Sequence, residues 1–369
     1  MRISAIETIP LKLPLPRVYK GSYYHMTHRC TVITRVSTDD GVVGEAYNGD
    51  QFEHQGELCR IINEELTPLV IGMDAFNVEG CWQAMQPPTY DQLRERKLTV
   101  EAVACVDSAI WDAIGKALNT PLYRLWGGFR EDLPIIGIGG YYDPEKKPAD
   151  YGREMAGFQA DGLAGCKFKI GGRSPEEDAA RVRAVRAAVS EDFVIVVDAN
   201  QGWGARDAIR FAELVRDQNI RWFEEPCRWI NDRRSMRDVR AITGIPVCAG
   251  QSEIDRNGCR DLMMDGAIDV CNFDASWGGG PTEWRRVAAL ASCFDVQMAH
   301  HEEPQVSAHL LAAYPHGTYL EVFHRERDPL FYELVANRSP ITNGRYRVPD
   351  GPGLGLVLDQ AVIARCRVD

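Results

Sequence analysis

The sequence predicts an α/β fold in which a parallel β/α barrel follows a smaller α+β domain. From residue 128 to 330, short apolar runs alternate with amphipathic helical patterns, as repeated βα units require. Over residues 1–127 the strand-like segments come first and the helical patterns follow, which is the order of an α+β unit. Several apolar runs of the second region also end in an acid, an amide or a base. In a parallel barrel such strand ends converge on one mouth.

The first region opens with RISAIETIPLKL and CTVITRVSTDDGVVGEAY, read as antiparallel strands with Asp39, Asp40 and Gly41 as a turn. In LTVEAVACVDSAIWDAIGKALN, Val103, Val106, Ile110, Ile114 and Leu118 recur at helical spacing. The barrel strands expected next are LPIIGIGGY, GCKFKI, FVIVVDAN, IRWFEEP, IPVCAGQ, AIDVCNFD, FDVQMAHH and TYLEVF. Between them, DAARVRAVRAAV, ARDAIRFAELVRDQ, MRDVRAIT and WRRVAALASCF read as helices. The remaining segment, 331–369, carries the turn-formers of VPDGPGLGL and is expected to pack back on the first domain.

A net charge of -11 argues against nucleic acid as a partner, because phosphate backbones select basic surfaces. No apolar run reaches membrane-spanning length, and the alternating MRISAIETIPLKLPLP lacks the apolar core of a signal peptide. Eleven cysteines occur without a CxxC pair, and many lie inside apolar runs. They read as buried thiols of a reduced cytoplasm.

Asp198, Glu224 and Gln251 end successive expected strands, and such oxygen donors favour a hard cation, Mg2+. Lys167 and Lys169, two apart on one strand, share a face. Two ammonium groups beside a metal should depress each other's pKa and leave one usable as a base. On an arbitrary strand such a pair is a solvated face, so its place in the set matters. Further strand ends supply Asn200, Asp274, the neighbours His300 and His301, and Glu321.

The motifs SAIWDAIGKALNTPLYRLWGG, CKFKIGG, VDANQGW, WFEEP, HLLAAYP and PDGPGLG together resemble the enolase superfamily and, within it, the mandelate racemase subgroup. That resemblance covers almost the whole chain and implies a modified TIM barrel, (β/α)7β, under an N-terminal α+β capping domain. It places a proton-abstracting base on Lys169, a substrate-carboxylate contact on Lys167, metal ligands on Asp198 and Glu224, a His–Asp dyad on His301 and Asp274, and a substrate-carboxylate partner on Glu321. The family's fifth strand ends in Gly-Glu, whereas this chain has Gly250-Gln251, followed by Ser252-Glu253. The third metal ligand is therefore Gln251 or, two residues on, Glu253, or neither.

Substrate contacts are expected from Asn200 and from the aromatic and basic capping segment that holds Tyr19, Lys20, Tyr23, Tyr24, His25, His28 and Arg29, in particular from Tyr19, Lys20, His25, His28 and Arg29. Trp203 and Trp277 follow strand ends, where aromatics line pockets or serve packing. The activity the resemblance implies is Mg2+-dependent dehydration of a sugar acid to a 2-keto-3-deoxy acid by an even-numbered homo-oligomer. Racemisation or epimerisation of a 2-hydroxy acid is the alternative within catalysis. Cycloisomerisation ranks lower, because His301 with Asp274 stands where a lysine would be expected. A barrel that only binds a ligand is the reading outside catalysis.

Overall fold

The structure, a computed structural model, describes residues 1–48 and 54–368. Strands β1 (Ile3–Lys20), β2 (His25–Thr38) and β3 (Val43–Asn48) form an antiparallel sheet in chain order. The turn between β2 and β3 closes through Gly41 N–H donating to the Thr38 carbonyl at 3.1 Å. Strand β1 runs beyond the expected RISAIETIPLKL. It stays paired with β2 as far as Lys20 opposite His25, slipping register between Pro14 and Tyr19. Prolines there cannot donate to a ladder, which explains the irregularity. The hairpin tip reaches the barrel, with Tyr142 N–H donating to the Lys20 carbonyl (2.8 Å) and the Ser22 hydroxyl to the Asn200 carbonyl (3.2 Å).

The helix Arg96–Ala117 is buried at nearly every position from Thr99 to Gly115 because it is covered on two sides. Towards the sheet, Asp112 accepts from Glu45 N–H at 2.7 Å. Towards the barrel, Asp107 accepts from the Thr282 N–H (2.9 Å) and hydroxyl (2.7 Å), and Trp111 donates to that hydroxyl (2.8 Å).

Eight parallel strands follow: β4 (Asp132–Gly139), β5 (Gly165–Lys169), β6 (Val194–Asp198), β7 (Ile220–Glu224), β8 (Val247–Ala249), β9 (Val270–Cys271), β10 (Gln297–Met298) and β11 (Leu320–Phe323). Each pairs with the next from β4 to β10, and β11 returns beside β4. The ring closes where Met298 N–H donates to the His316 carbonyl and Thr318 N–H to the Met298 carbonyl, both at 2.8 Å. Seven helices connect the strands, Pro148–Ala160, Pro175–Ala188, Ala205–Leu214, Asp232–Thr243, Arg256–Met264, Gly280–Ser292 and Pro304–Ala313, giving (β/α)7β. Three of these, Pro148–Ala160, Arg256–Met264 and Pro304–Ala313, went unread in the sequence. Among the described residues no helix is long and apolar enough to cross a membrane, and all eleven cysteines are free thiols.

After the ring, β12 (Ile341–Thr342) and β13 (Arg345–Arg347) form a hairpin, and β13 lies antiparallel to the start of β4. The chain then returns to the cap: Leu354 N–H donates to Asp112 (2.7 Å) and Val368 N–H to the Pro10 carbonyl (3.0 Å).

Inside the barrel, Ile136, Val196, Trp222, Cys248, Val270 and Ala299 form a buried apolar layer. Period-two alternation then sets the polar residues of the same strands directly above it, Asp198 two after Val196 and Glu224 two after Trp222. At β8 the rule is broken by Gly250, whose φ of 144° is open to glycine alone and turns Gln251 into the mouth. An alanine Cβ there would stand 2.9 Å from the Cys271 sulfur. Gly250→Ala is therefore expected to cost about 1–3 kcal/mol in urea unfolding; unchanged stability would show that the backbone at this position is unconstrained.

Candidate active site

The end of β5 carries Lys167 and Lys169 side by side, each less than 3% exposed. Lys167 Nζ lies 2.9 Å from Glu224 Oε1, 2.6 Å from Glu321 Oε2 and 4.0 Å from Asp198 Oδ2. Lys169 Nζ lies 2.7 Å from Asp198 Oδ2 and 3.0 Å from Asn200 Oδ1. Three buried carboxylates thus surround two buried ammonium groups. Burial disfavours both ammonium charges, but the carboxylates outweigh it and hold both lysines well above the usual lysine range. The expected mutual depression of the lysine pKa values is thereby corrected for the structure as it stands, because each ammonium is closer to a carboxylate than to any like charge. Lys167 is also enclosed beneath the mouth, between Glu224 and Glu321, and is not among the residues lining the cavity.

Burial tends to raise the Asp198 carboxyl, but Lys169 and Lys167 bring it below its ordinary value. Glu224 goes the other way. Burial pushes it up to about 8, with Asp198 and Glu321 adding to the effect and Lys167 opposing it. Crowded carboxylates with too little positive charge suit a cation.

Gln251 Oε1 accepts from Asn272 Nδ2 at 2.9 Å, and the same amide donates to Glu224 Oε1 at 2.9 Å. The sequence reading missed Asn272, although its place two residues before Asp274 marks it as sharing that residue's face. Glu253 is elsewhere. Its N–H donates to the Gly250 carbonyl (3.0 Å), so the chain has already turned and strand alternation no longer applies. Its carboxylate instead meets Arg233 at 3.2 Å, which corrects its candidacy as a metal ligand. Among the described residues no three His, Cys, Asp or Glu side chains form a ready-made cage, since the third donor here is an amide and the carboxylates fold onto lysines. Asp198, Glu224 and Gln251 nonetheless fit a hard cation in donor chemistry.

Of the two histidines, His301 faces the mouth. Its Nδ1 is 2.9 Å from Asp274 Oδ2 and its Nε2 3.1 Å from Glu302 Oε1, with the Trp277 ring centroid 4.7 Å away. His300 is spent on backbone, its Nδ1 at 2.9 Å from the His301 carbonyl and its Nε2 accepting from Ala275 N–H at 3.0 Å. Burial would lower the His301 pKa, but Glu302 and Asp274 push it up to about 10.

A cavity of about 250 Å³ opens here, lined by Tyr24, Met26, Lys169, Asn200, Gln251, Trp277, His301, Glu302 and Arg327. The cap contributes Tyr24 and Met26. Its expected contributors Tyr19, Lys20, His25, His28 and Arg29 do not line this cavity. Tyr19 packs edge-on to Tyr141 (5.3 Å), and Lys20 and His25 are exposed partners at the hairpin end. His28 bonds its neighbour Thr27 at 2.9 Å. Arg29, 1% exposed, is locked between Glu303 (2.8 Å) and Asp328 (3.2 Å). Trp203 packs on Phe211 and Phe223. Glu302 and Arg327 carried no strand-end signal and were missed.

Residues 7–127 match the N-terminal domain model of the mandelate racemase/muconate lactonizing enzymes, and residues 150–362 match the enolase C-terminal domain-like model. The chain belongs to the enolase superfamily, in its mandelate racemase/muconate lactonizing enzyme family. It is an enzyme of that superfamily. A crystal structure of a mandelate racemase/muconate lactonizing enzyme from a marine actinobacterium, in complex with magnesium, is similar at 52% identity and TM-score 0.94 over 100% of this chain and 99% of the other. The 3,6-anhydro-alpha-L-galactonate cycloisomerase of Streptomyces coelicolor is 29% identical over 99% of both chains. The arabinonate dehydratase of Saccharolobus solfataricus is 29% identical over 90% of this chain and 89% of its own. The similar proteins thus include a cycloisomerase as well as a dehydratase.

The Arg29 assignment is open to a direct check. Arg29→Met strips two buried carboxylates of a cation and is expected to cost about 3–5 kcal/mol in urea unfolding. A substrate contact would instead raise KM at unchanged stability.

Proposed function

We propose that this enzyme removes the proton alpha to the carboxylate of a sugar acid and expels the beta-oxygen, forming an enol that relaxes to a 2-keto-3-deoxy acid. The observation that carries this reading is the convergence of Lys169 and His301 on one cavity, from the second and seventh strands of the ring, with Asp274, after the sixth, bonded to His301. Lys169, Asn200, Gln251 and Arg327 offer polar groups to a small hydroxylated carboxylate beside the apolar surfaces of Tyr24, Met26 and Trp277, and the similarity to an arabinonate dehydratase supports the substrate class.

Mg2+ is the cofactor in this reading, with Asp198, Glu224 and Gln251 as its protein ligands. When bound, it supplies Lewis-acid stabilisation of the enediolate's negative charge. Lys169 is the base in this scheme; Asp198 holds its ammonium at 2.7 Å, and a cation held by that carboxylate would weaken the hold and favour the free amine. Lys167 holds Glu224 and Glu321 in place from below. His301, kept charged by its two carboxylates, works as an acid rather than a base. Because its pKa is raised, the imidazolium persists through neutral pH and is lost only as pH climbs through about 10. Elimination that depends on this acid should follow the same limb.

The similarity to a cycloisomerase favours a second outcome of the same chemistry, in which the departing oxygen stays tethered to the carbon chain. Mass spectrometry separates the two: dehydration gives a product lighter by one water, ring opening an isomer.

Calorimetry with Mg2+ tests the ligand set. Glu224→Gln is expected to abolish measurable binding, Gln251→Glu to tighten it by restoring a charge, and Glu253→Gln to leave it unchanged. Parent-like binding by Glu224→Gln would overturn the assignment. For the two-group chemistry, Lys169→Ala and His301→Ala should each lower kcat by about 10²-fold or more on the best sugar acid found. Near-parent turnover in both would place the reaction elsewhere.

A further inference from the structure

A histidine that is to protonate a substrate must present a ring N–H to it. In this site neither ring nitrogen of His301 is open. Nδ1 faces Asp274 at 2.9 Å and Nε2 faces Glu302 at 3.1 Å. Only the imidazolium carries N–H on both nitrogens, so two carboxylate acceptors select that form. Glu302 thus occupies the His301 nitrogen that Asp274 leaves free, at the wall of the cavity both of them line.

The chain is built to keep it there. Glu302 has a φ of 53° and Glu303 a φ of 50°, two successive left-handed residues neither of which is glycine. Such a pair persists only where neighbours over-determine it. The Glu302 N–H donates to Glu321 Oε2 at 3.0 Å and its carbonyl accepts from the Ser307 hydroxyl at 3.0 Å. The following carboxylate, Glu303, is held by Arg29. With the backbone pinned on both sides, the Glu302 side chain folds back over the residue before it, onto His301.

We propose that Glu302 is a further catalytic residue, the last member of an Asp274–His301–Glu302 relay, and that its carboxyl delivers the proton to the departing beta-oxygen. This rests on the elimination reading given above. Lys169 takes the alpha proton, and the C–H electrons form the enediolate. As the C–C double bond forms, the beta C–O bond breaks and its electrons leave on oxygen, which takes a proton from Glu302. Glu302 has received that proton from His301 Nε2, leaving neutral imidazole. After product departs, Lys169 releases a proton to water and His301 recovers one, so no net proton is consumed.

The charged groups facing the pair come from several elements: Asp274 after β9, Lys167 on β5, Glu225 after β7, Arg29 on β2 and Arg327 beyond β11. Burial acts against the Glu302 charge, but His301, Arg29 and Arg327 together hold its carboxyl below the usual range. The relay therefore rests as carboxylate and imidazolium, with the mobile proton on His301.

The test uses the Mg2+-loaded full chain and the variants Glu302→Gln and Glu302→Leu. With a beta-hydroxy acid, elimination should fall about 10²-fold. With the matching beta-fluoro acid, whose fluoride departs without a proton, elimination should stay within a few-fold of parent, as should exchange of the alpha proton with deuterated solvent. Equal losses with both leaving groups, or parent-like loss of hydroxide, would overturn the proposal. A nitrogen-15 titration of the His301 imidazole needs no substrate. Its midpoint should fall by at least about one pH unit in Glu302→Gln, and an unmoved midpoint refutes the relay. If the parent exchanges no alpha proton on any sugar acid, the function reading fails by itself, and the imidazole titration still decides the pairing.

Discussion

Charge balance at the barrel mouth is the constraint on which the rest of the site depends. Lys167, Lys169, Asp198, Glu224 and Glu321 are each 2% exposed or less. Taking such ions from water costs several kcal/mol each unless partners answer them at close range. Lys167 can satisfy that demand only if β5, β7 and β11 bring their ends to one point. Strand β11 reaches it by closing the ring through β4. Barrel closure and neutralisation are thus one condition, and a shift of a single residue in any of these strands would turn a charged end into the outer apolar shell.

The layer below shows the same economy of pattern. Val196 and Trp222 fill the barrel interior, and the residues two further on are Asp198 and Glu224. A packed apolar floor excludes water from beneath the charges and keeps their attraction strong. Trp222 links the two layers, its indole N–H donating to Glu224 Oε2 at 3.3 Å.

This division explains what was legible in the sequence. Strand ends obey period two, so Lys169, Asp198, Glu224, Asp274 and Glu321 stand out as a set from the spacing of apolar runs alone. Of the neighbours His300 and His301, the residues alone allowed either, and only the hydrogen bonds of the fold show that His300 is spent on backbone. Where the chain turns off a strand, period two stops. Glu253 was misplaced because a turn closes at Gly250, and Glu302 was missed because it follows the strand with left-handed backbone. Arg29 looked like a substrate contact on a basic segment. Its partner Glu303 lies 274 residues away, a pairing no local pattern contains. The unread helix Pro304–Ala313 has the complementary cause: it is buried throughout, so it lacks the polar face by which the exposed barrel helices were recognised.

The cap also acts on the mouth in a way that the substrate contacts expected of it did not anticipate. Among the described residues it faces the cavity with Tyr24 and Met26, and Arg29 on β2 holds Glu303. Glu303 is the second of the two left-handed residues, and Gln305 ties the same carboxylate to the cap, donating to it at 2.6 Å and to the Tyr47 carbonyl at 2.9 Å. Left-handed backbone at consecutive non-glycine residues relaxes unless it is held. Arg29 and, through Gln305, the Tyr47 carbonyl tie Glu303 to the cap sheet, while Glu302 and its backbone partners Glu321 and Ser307 belong to the barrel. Docking of the cap and placement of Glu302 against His301 are therefore coupled through one strained turn.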